Sequence, residues 1–285
     1  MTNRFNPPSV WATINLSDTG DPIAQVLAGE EIDLDHFVAM AGPMSNARAK
    51  NIARDPFAAA EFFHTTIRIV LEEMFGIHIN ARGGIDRKEG ILGVVNGYVG
   101  TVEAQARGTL HLHILLWLRG APTPRMMREA LHSARFREKM AAFIRANIRA
   151  HIDGTTRENF LSTPKQFNIA YSRPEDPRLP DYPRRAAEAE RRIARAVQTH
   201  DCKTHTCLKL KKGRVVCKRR APWPTADDAW VHENGDWGPK RVYPRLNAWN
   251  PPLIQVVRCN HDMKLVTNGA DTKVRTLCFL GPVQC

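Results

Sequence analysis

One run of this chain, Tyr98 to Leu118 (YVGTVEAQARGTLHLHILLWL), does most to fix what it can become. Two β-prone stretches, Ile91 to Gln105 and Thr109 to Leu118, are separated by Ala106-Arg107-Gly108. A short glycine-containing link between such stretches predicts an antiparallel hairpin. Side chains alternate faces along a strand. Leu110, Leu112, Ile114, Leu116 and Leu118 therefore share one face, and His111, His113, Leu115 and Trp117 share the other.

Histidines at i and i+2 on a strand project side by side, about 7 Å apart at the backbone. Imidazoles so placed can converge on one divalent cation. Glu103 lies eight residues before His111, and a hairpin turning at Arg107-Gly108 brings it beside the pair. Two imidazoles and a carboxylate make a three-ligand site with open positions. Such a site leaves room for a phosphate oxygen and water, the arrangement Lewis-acid chemistry on a phosphodiester requires. The plainer reading is a pair of structural or surface histidines.

The surrounding pattern is mixed. Val10 to Leu16 is β-prone and runs into a Ser-Asp/Gly-Asp-Pro turn cluster that holds Asp18 and Asp21. Asp55-Pro56 is a helix start, with Asp at the N-cap and Pro at the first helical position. Phe63, Ile67, Val70 and Met74 continue it as an amphipathic stripe closed by Gly76. A helical pattern runs from Pro124 to about Ile152, and a basic helix is expected over Arg184 to Gln198. Leu253 to Arg258 reads as a last β-prone run. Strand, helix, hairpin, helix is an α+β order rather than a regular βαβ alternation. The chain of 285 residues is 43% hydrophobic and 25% charged, so a packed core is expected. No run of about 18 apolar residues is present, and Met1 to Pro8 lacks the apolar stretch of a secretory signal, so neither a membrane helix nor secretion is expected. A GxxxxGK[ST] phosphate loop is absent, which excludes nucleotide hydrolysis of that type in this sequence.

Charge and cysteine are unevenly placed. The net charge is +12, which favours a polyanionic partner, nucleic acid first. From Arg184 to Arg220 there are 13 Lys/Arg against 3 Asp/Glu, a net +10. Within that block Arg184, Arg185, Arg191, Arg192, Arg195, Lys209, Lys211, Lys212, Lys218, Arg219 and Arg220 are the candidate phosphate contacts. Lys209–Lys212 and Lys218–Arg220 also resemble nuclear-import runs. Cys202, Cys207 and Cys217, with His200 and His205 beside them, supply three thiolates and two alternative imidazoles for a tetrahedral Zn²⁺. The competing reading is a group of reduced, partly buried cysteines. Downstream, Trp223, Trp230, Trp237 and Trp249 offer either core packing or base stacking. His64, His78, His132, His151 and His232 lack spacing partners and read as structural or surface residues.

PSVWATINLSD, DPIAQVLAGEEID, DPFAAAEFFH, YVGTVEAQARGTLHLHILLWL and NPPLIQVVRCNHDMKLVTNG, in that order over most of residues 8–270, resemble the Rep region of Helitron transposases, the "Helitron helicase-like domain" of fungal-type copies. The His-hydrophobe-His strand is similar to that of HUH endonucleases. The resemblance implies an α+β fold: an antiparallel HUH (Rep-like) sheet with flanking helices and a small Cys/His zinc-like module. It assigns His111, His113 and Glu103 to a Mg²⁺ or Mn²⁺ ion that polarises a phosphodiester of single-stranded DNA at transposon ends, in the nucleus. It also implies a tyrosine that attacks the phosphate. In the family that residue follows the segment corresponding to Asn260-His261-Asp262-Met263, whereas the four tyrosines here are Tyr98, Tyr171, Tyr182 and Tyr243. The chain is therefore expected to stop before the catalytic helix and to be incomplete as a nicking enzyme. The alternative is a non-catalytic basic DNA-binding protein derived from a transposon fragment. The expected divisions are 8–160 for the Rep-like core, 161–183 for a Pro-rich linker, 184–224 for the basic helix and Cys/His cluster, 225–273 for the remaining Helitron-like part, and 274–285 for a divergent end.

Overall fold

Five antiparallel strands form the sheet on which the candidate site is built. The computed structural model describes residues 7–82, 84–104, 109–205 and 207–267. The strands are β1 (Val10–Asn15), β4 (Glu89–Gly90), β5 (Gly93–Ala104), β6 (Leu110–Leu118) and β11 (Asn260–Leu265), in the order β11-β1-β6-β5-β4. The β5–β6 pairing expected from the sequence is present, with Glu103 opposite His111 and Ala104 opposite Leu110. The link through residues 105–108 lies outside the described residues. Strand β6 is central: its other edge pairs with β1, which sets Thr13 opposite His113 and Asn15 opposite His111.

One face of the sheet makes the main core. Val10, Ala12 and Ile14 of β1, Leu112, Ile114 and Leu116 of β6, and Met263 and Leu265 of β11 all point to it. Helix α3 (Pro56–Ile69) covers that core with Ala59, Phe62, Phe63 and Ile67. Each of the larger side chains contributes on the order of 1.5–3 kcal/mol by leaving water. Asp55 caps α3 by accepting from Ala58 N at 2.9 Å, as the Asp-Pro start requires. The expected stripe continues through Val70 and Met74, although Val70–Met74 is wound as a π-turn. Gly76 follows with φ +66°, and a Cβ there would sit 2.4 Å from the Lys88 carbonyl oxygen, so only glycine fits. Helices α1 (Pro22–Leu27) and α2 (Ser45–Arg54) precede α3 in the chain, and β2 (Ile77–Ile79) pairs with β3 (Ile85–Arg87) beyond it.

Two expectations are corrected. The helical pattern from Pro124 to Ile152 is two helices, α4 (Pro124–Leu131) and α5 (Ala134–Asn147). Ser133 is extended (φ −80°, ψ 121°) and begins the second, a position serine favours. Leu253 to Arg258 is not a strand: Pro251–Val257 is helix α7, capped by Asn250, whose side chain accepts from Leu253 N at 3.0 Å. Two prolines at its start and the Asn cap outweigh its β-branched content. The polar-looking Asn260–Leu265 segment is the strand instead, with His261, Met263 and Leu265 turned inward.

The Pro-rich stretch is packed rather than free. Ile169, Ala170 and Tyr171 within it are buried, and the Tyr171 hydroxyl donates to the Ala41 carbonyl. A second core joins Phe160, Leu246, Trp249 and Ile254 to Ile193 of the basic helix α6 (Tyr182–Ile193), whose last turn, Ala194–Gln198, is again π-wound. Beyond it, β7 (Leu208–Lys211) and β8 (Arg214–Cys217) form a two-stranded ribbon, and β9 (Trp230–Val231) pairs with β10 (Trp237–Gly238).

Candidate metal centres

The face of the sheet opposite the main core carries the Glu103, His111 and His113 group. Register places these residues on that face together with Thr13 and Trp11 of β1. His111 Nε2 lies 3.0 Å from His113 Nε2 and 3.2 Å from Glu103 Oε2, and His113 Nε2 lies 3.6 Å from the same oxygen. Ligands about 2.1 Å from a cation and at right angles to each other sit about 3.0 Å apart, and at a tetrahedral angle about 3.4 Å. The observed spacings fall on that scale. His111 is buried, His113 is half-buried and Glu103 is exposed, so the group opens to solvent on the Glu103 side.

Two contacts on His113 were not legible in the sequence. Thr13 Oγ1 lies 2.8 Å from His113 Nδ1. With Nδ1–H donating to that hydroxyl, the Nε2 lone pair faces the group, the tautomer a metal ligand needs. Trp11 stacks on the same ring, centroids 5.6 Å apart and planes 14° from parallel. Burial, and after it the neighbouring His111, hold the His113 imidazole below its usual range against the opposing Glu103 carboxylate. The ring is thus neutral at pH 7. With His113 Nε2 as the acceptor, the proton in these contacts is on His111 Nε2, shared with Glu103 Oε2 and His113 Nε2. A ligated His111 carries its proton on Nδ1 instead, a buried atom with no partner among the described residues.

A second group gathers His200 Nε2 with the three sulfurs. The imidazole nitrogen is 3.3 Å from Cys202 Sγ, 3.1 Å from Cys207 Sγ and 3.2 Å from Cys217 Sγ. Register explains part of this: β7 and β8 set Leu208 opposite Cys217 and bring Cys207 beside it, the two sulfurs 3.1 Å apart. A tetrahedral Zn²⁺ with three sulfurs and one nitrogen has edges of about 3.6–3.8 Å, so the group needs to open by only a few tenths of an ångström to accept one. Arg245 Nη1 donates to Cys202 Sγ at 3.1 Å. Burial and the adjacent sulfurs push the Cys207 thiol up to about 11. At Cys217 burial acts the same way, but hydrogen bonds from Cys207 and from the Arg219 and Ala221 amides outweigh it and lower the thiol. Burial, then Arg219 and Arg245, hold the His200 imidazole below its usual range. Of the two histidines the sequence could not separate, His200 belongs to the group, whereas His205 is exposed and outside it.

The expected phosphate-binding residues divide. Arg195 is buried and donates to the Thr163 carbonyl at 2.9 Å, so it is a structural residue and not a DNA contact. Arg184 pairs with Asp181, while Arg185 and Arg192 both reach Glu175. Arg191, Lys209, Lys211, Lys212, Lys218, Arg219 and Arg220 make no ion pair among the described residues. Trp249 is fully buried, its Nε1 donating to Glu190 Oε1 at 2.8 Å, which removes it from any base-stacking role. The guanidinium of Arg241 lies over Trp223, 5.2 Å from the ring centre. Asp21 caps α1 by accepting from Ile23 N.

None of the four tyrosines shares the Glu103 face. Tyr98 alternates to the core side of β5, Tyr171 packs on Phe37 and Arg48, Tyr182 opens α6, and Tyr243 stacks on Phe160 at 4.4 Å.

Residues 1–116 match the Helitron helicase-like domain at N-terminus. Over those residues the chain is similar to a Helitron-related domain. The matched segment contains Glu103, His111 and His113 and ends inside β6, so the first group lies within it and the Cys/His group lies beyond it. No curated protein matches the chain. Among the described residues, no helix is long and apolar enough to cross a membrane.

Proposed function

We propose that this chain is the Rep-type, HUH-like part of a Helitron-like rolling-circle element, and that it binds a divalent metal and single-stranded DNA. The observation that carries the reading is the convergence of His111 Nε2, His113 Nε2 and Glu103 Oε2 within 3.6 Å of one another on a solvent-open sheet face. The match over residues 1–116 makes a transposon-related role the natural context. The three residues hold Mg²⁺ or Mn²⁺, which when bound supplies Lewis-acid polarisation of a phosphodiester. Thr13 and Trp11 fix the His113 ring, and Glu103, on the exposed side, brings negative charge to balance the cation. The Cys/His group holds Zn²⁺ and ties the basic ribbon to the body, and the unpaired Lys/Arg residues of the 184–220 block track phosphates. The reading assigns metal and strand binding to this chain and no covalent step to its own tyrosines. Transposon ends as the target and the nucleus as the location belong to the same proposal.

The test is titration of the full chain with Mn²⁺, followed by binding of a fluorescent single-stranded oligonucleotide with and without that ion. One Mn²⁺ per chain, lost in His111→Ala and Glu103→Ala, and tighter oligonucleotide binding in its presence, support the proposal. Oligonucleotide binding that neither the ion nor His111→Ala alters would make the chain a non-catalytic DNA-binding module.

A further inference from the structure

The ribbon β7–β8 is built differently on its two faces. Alternation places Leu208, Leu210, Val215 and Cys217 on one side and Lys209, Lys211, Arg214 and Val216 on the other. The base of the first side is satisfied, because Leu208 and Cys217 pack in the cluster around Cys207 and Ala221. The outer pair is not: Leu210 is 74% exposed and Val215, directly across from it, is 67% exposed. A two-residue turn, Lys212-Gly213, with φ of +49° and +74°, closes the ribbon. Positive φ at both turn positions marks the hairpin turn whose twist matches that of the strands. At its root Lys218 N donates to the Cys207 carbonyl at 2.8 Å, which anchors the ribbon to the Cys/His group. The second side forms a shallow open concavity lined by Lys211, Lys212, Arg214 and Val216.

A projection with four cations and an uncovered aliphatic pair matches one partner chemistry. The cations suit a phosphate backbone. The aliphatic pair suits the flat face of a base, which is accessible where strands are unpaired and hidden inside an intact duplex. We propose that the Leu208–Cys217 ribbon engages nucleic acid at an unpaired segment or fork: Lys209, Lys211, Lys212 and Arg214 hold the backbone, and Leu210 with Val215 rests against an exposed base. The proposal deepens the DNA-binding reading above but uses a site separate from the metal-binding sheet.

The experiment measures binding of the full chain to a single strand, a forked duplex and a blunt duplex in buffer without added divalent ions. Leu210→Thr/Val215→Thr puts a strand-favouring β-branched residue at both positions. It is expected to weaken single-strand and fork binding roughly tenfold while leaving the salt slope and blunt-duplex binding unchanged. Lys211→Ala/Arg214→Ala is expected to weaken all three and to lower the log–log salt slope on single strands by about 1.4. Retained zinc content in both variants shows an intact root. The proposal is overturned if the Leu210/Val215 variant binds the fork like the parent, or if it converts a dimer to a monomer with nucleic-acid binding unchanged, which would make a second copy the occupant. Fork binding through the ribbon in a protein that takes up no Mn²⁺ would sink the metal reading alone.

Discussion

Thr13→Val is the sharpest perturbation of the first centre, because it removes one atom's chemistry and little else. Thr13 is nearly buried on β1, and valine keeps both its β-branching and its strand preference. What is lost is the 2.8 Å contact between Oγ1 and His113 Nδ1. A hydrogen bond of this kind is worth about 1 kcal/mol to the fold, so the metal-free protein should lose no more than about that. The effect on metal binding should be larger. Removing the partner that orients a ligating histidine typically costs about 10–100-fold in affinity, or about 1.4–2.7 kcal/mol. Isothermal titration with Mn²⁺ of the parent, Thr13→Val and His113→Ala gives the comparison, with urea unfolding of each as the control for stability. The expected order is intact, weakened and abolished. A Thr13→Val protein that binds Mn²⁺ as tightly as the parent would refute the reasoning that β1 sets the His113 tautomer.

Other outcomes follow from the same coordinates. His200→Ala should lose the bound zinc and His205→Ala should keep it, as read by metal content after gel filtration; the reverse would mean the wrong imidazole has been assigned. Trp249→Phe should destabilise the fold by about 1–3 kcal/mol in chemical unfolding, since it strips a buried partner from Glu190; an unchanged midpoint would show that Arg149, whose Nη1 donates to Glu190 Oε1 at 2.9 Å, satisfies that carboxylate alone. Full burial pushes the His261 imidazole down to about 4. Its folded value lies below its unfolded one, so its contribution is complete above about pH 6.5 and is lost as pH falls toward 4, up to about 3 kcal/mol. Burial raises Asp21 to about 6, which acts with the opposite sign, its contribution being lost as pH rises from about 4 to 6. The slope is therefore isolated by comparing the parent with His261→Gln; equal slopes would contradict the assignment.

The hairpin and its two histidines were legible because a period of two is visible in β6 itself. Glu103 was legible because the hairpin fixes its register. Thr13 and Trp11 were not, since the pairing of β1 with β6 joins residues about a hundred positions apart and nothing local announces it. Asn260–Leu265 hid as a strand because His261 takes an inward position normally held by an aliphatic residue; its Nε2 accepts from the Asn250 amide, which makes the burial tolerable. Leu253–Val257 misled in the other direction, its Ile and Val suggesting a strand while Asn250-Pro251-Pro252 carried the helix start. In the basic block, charge alone could not separate Arg195, inserted beneath Thr163, from lysines on the open ribbon.

Anomalous diffraction from crystals grown with Mn²⁺ tests the central claim most directly. The account requires a single manganese peak bonded to His111 Nε2, His113 Nε2 and a Glu103 carboxylate oxygen, each at about 2.1–2.3 Å. Crystals soaked at saturating Mn²⁺ with no density between those three side chains, or with the ion held elsewhere, would contradict it.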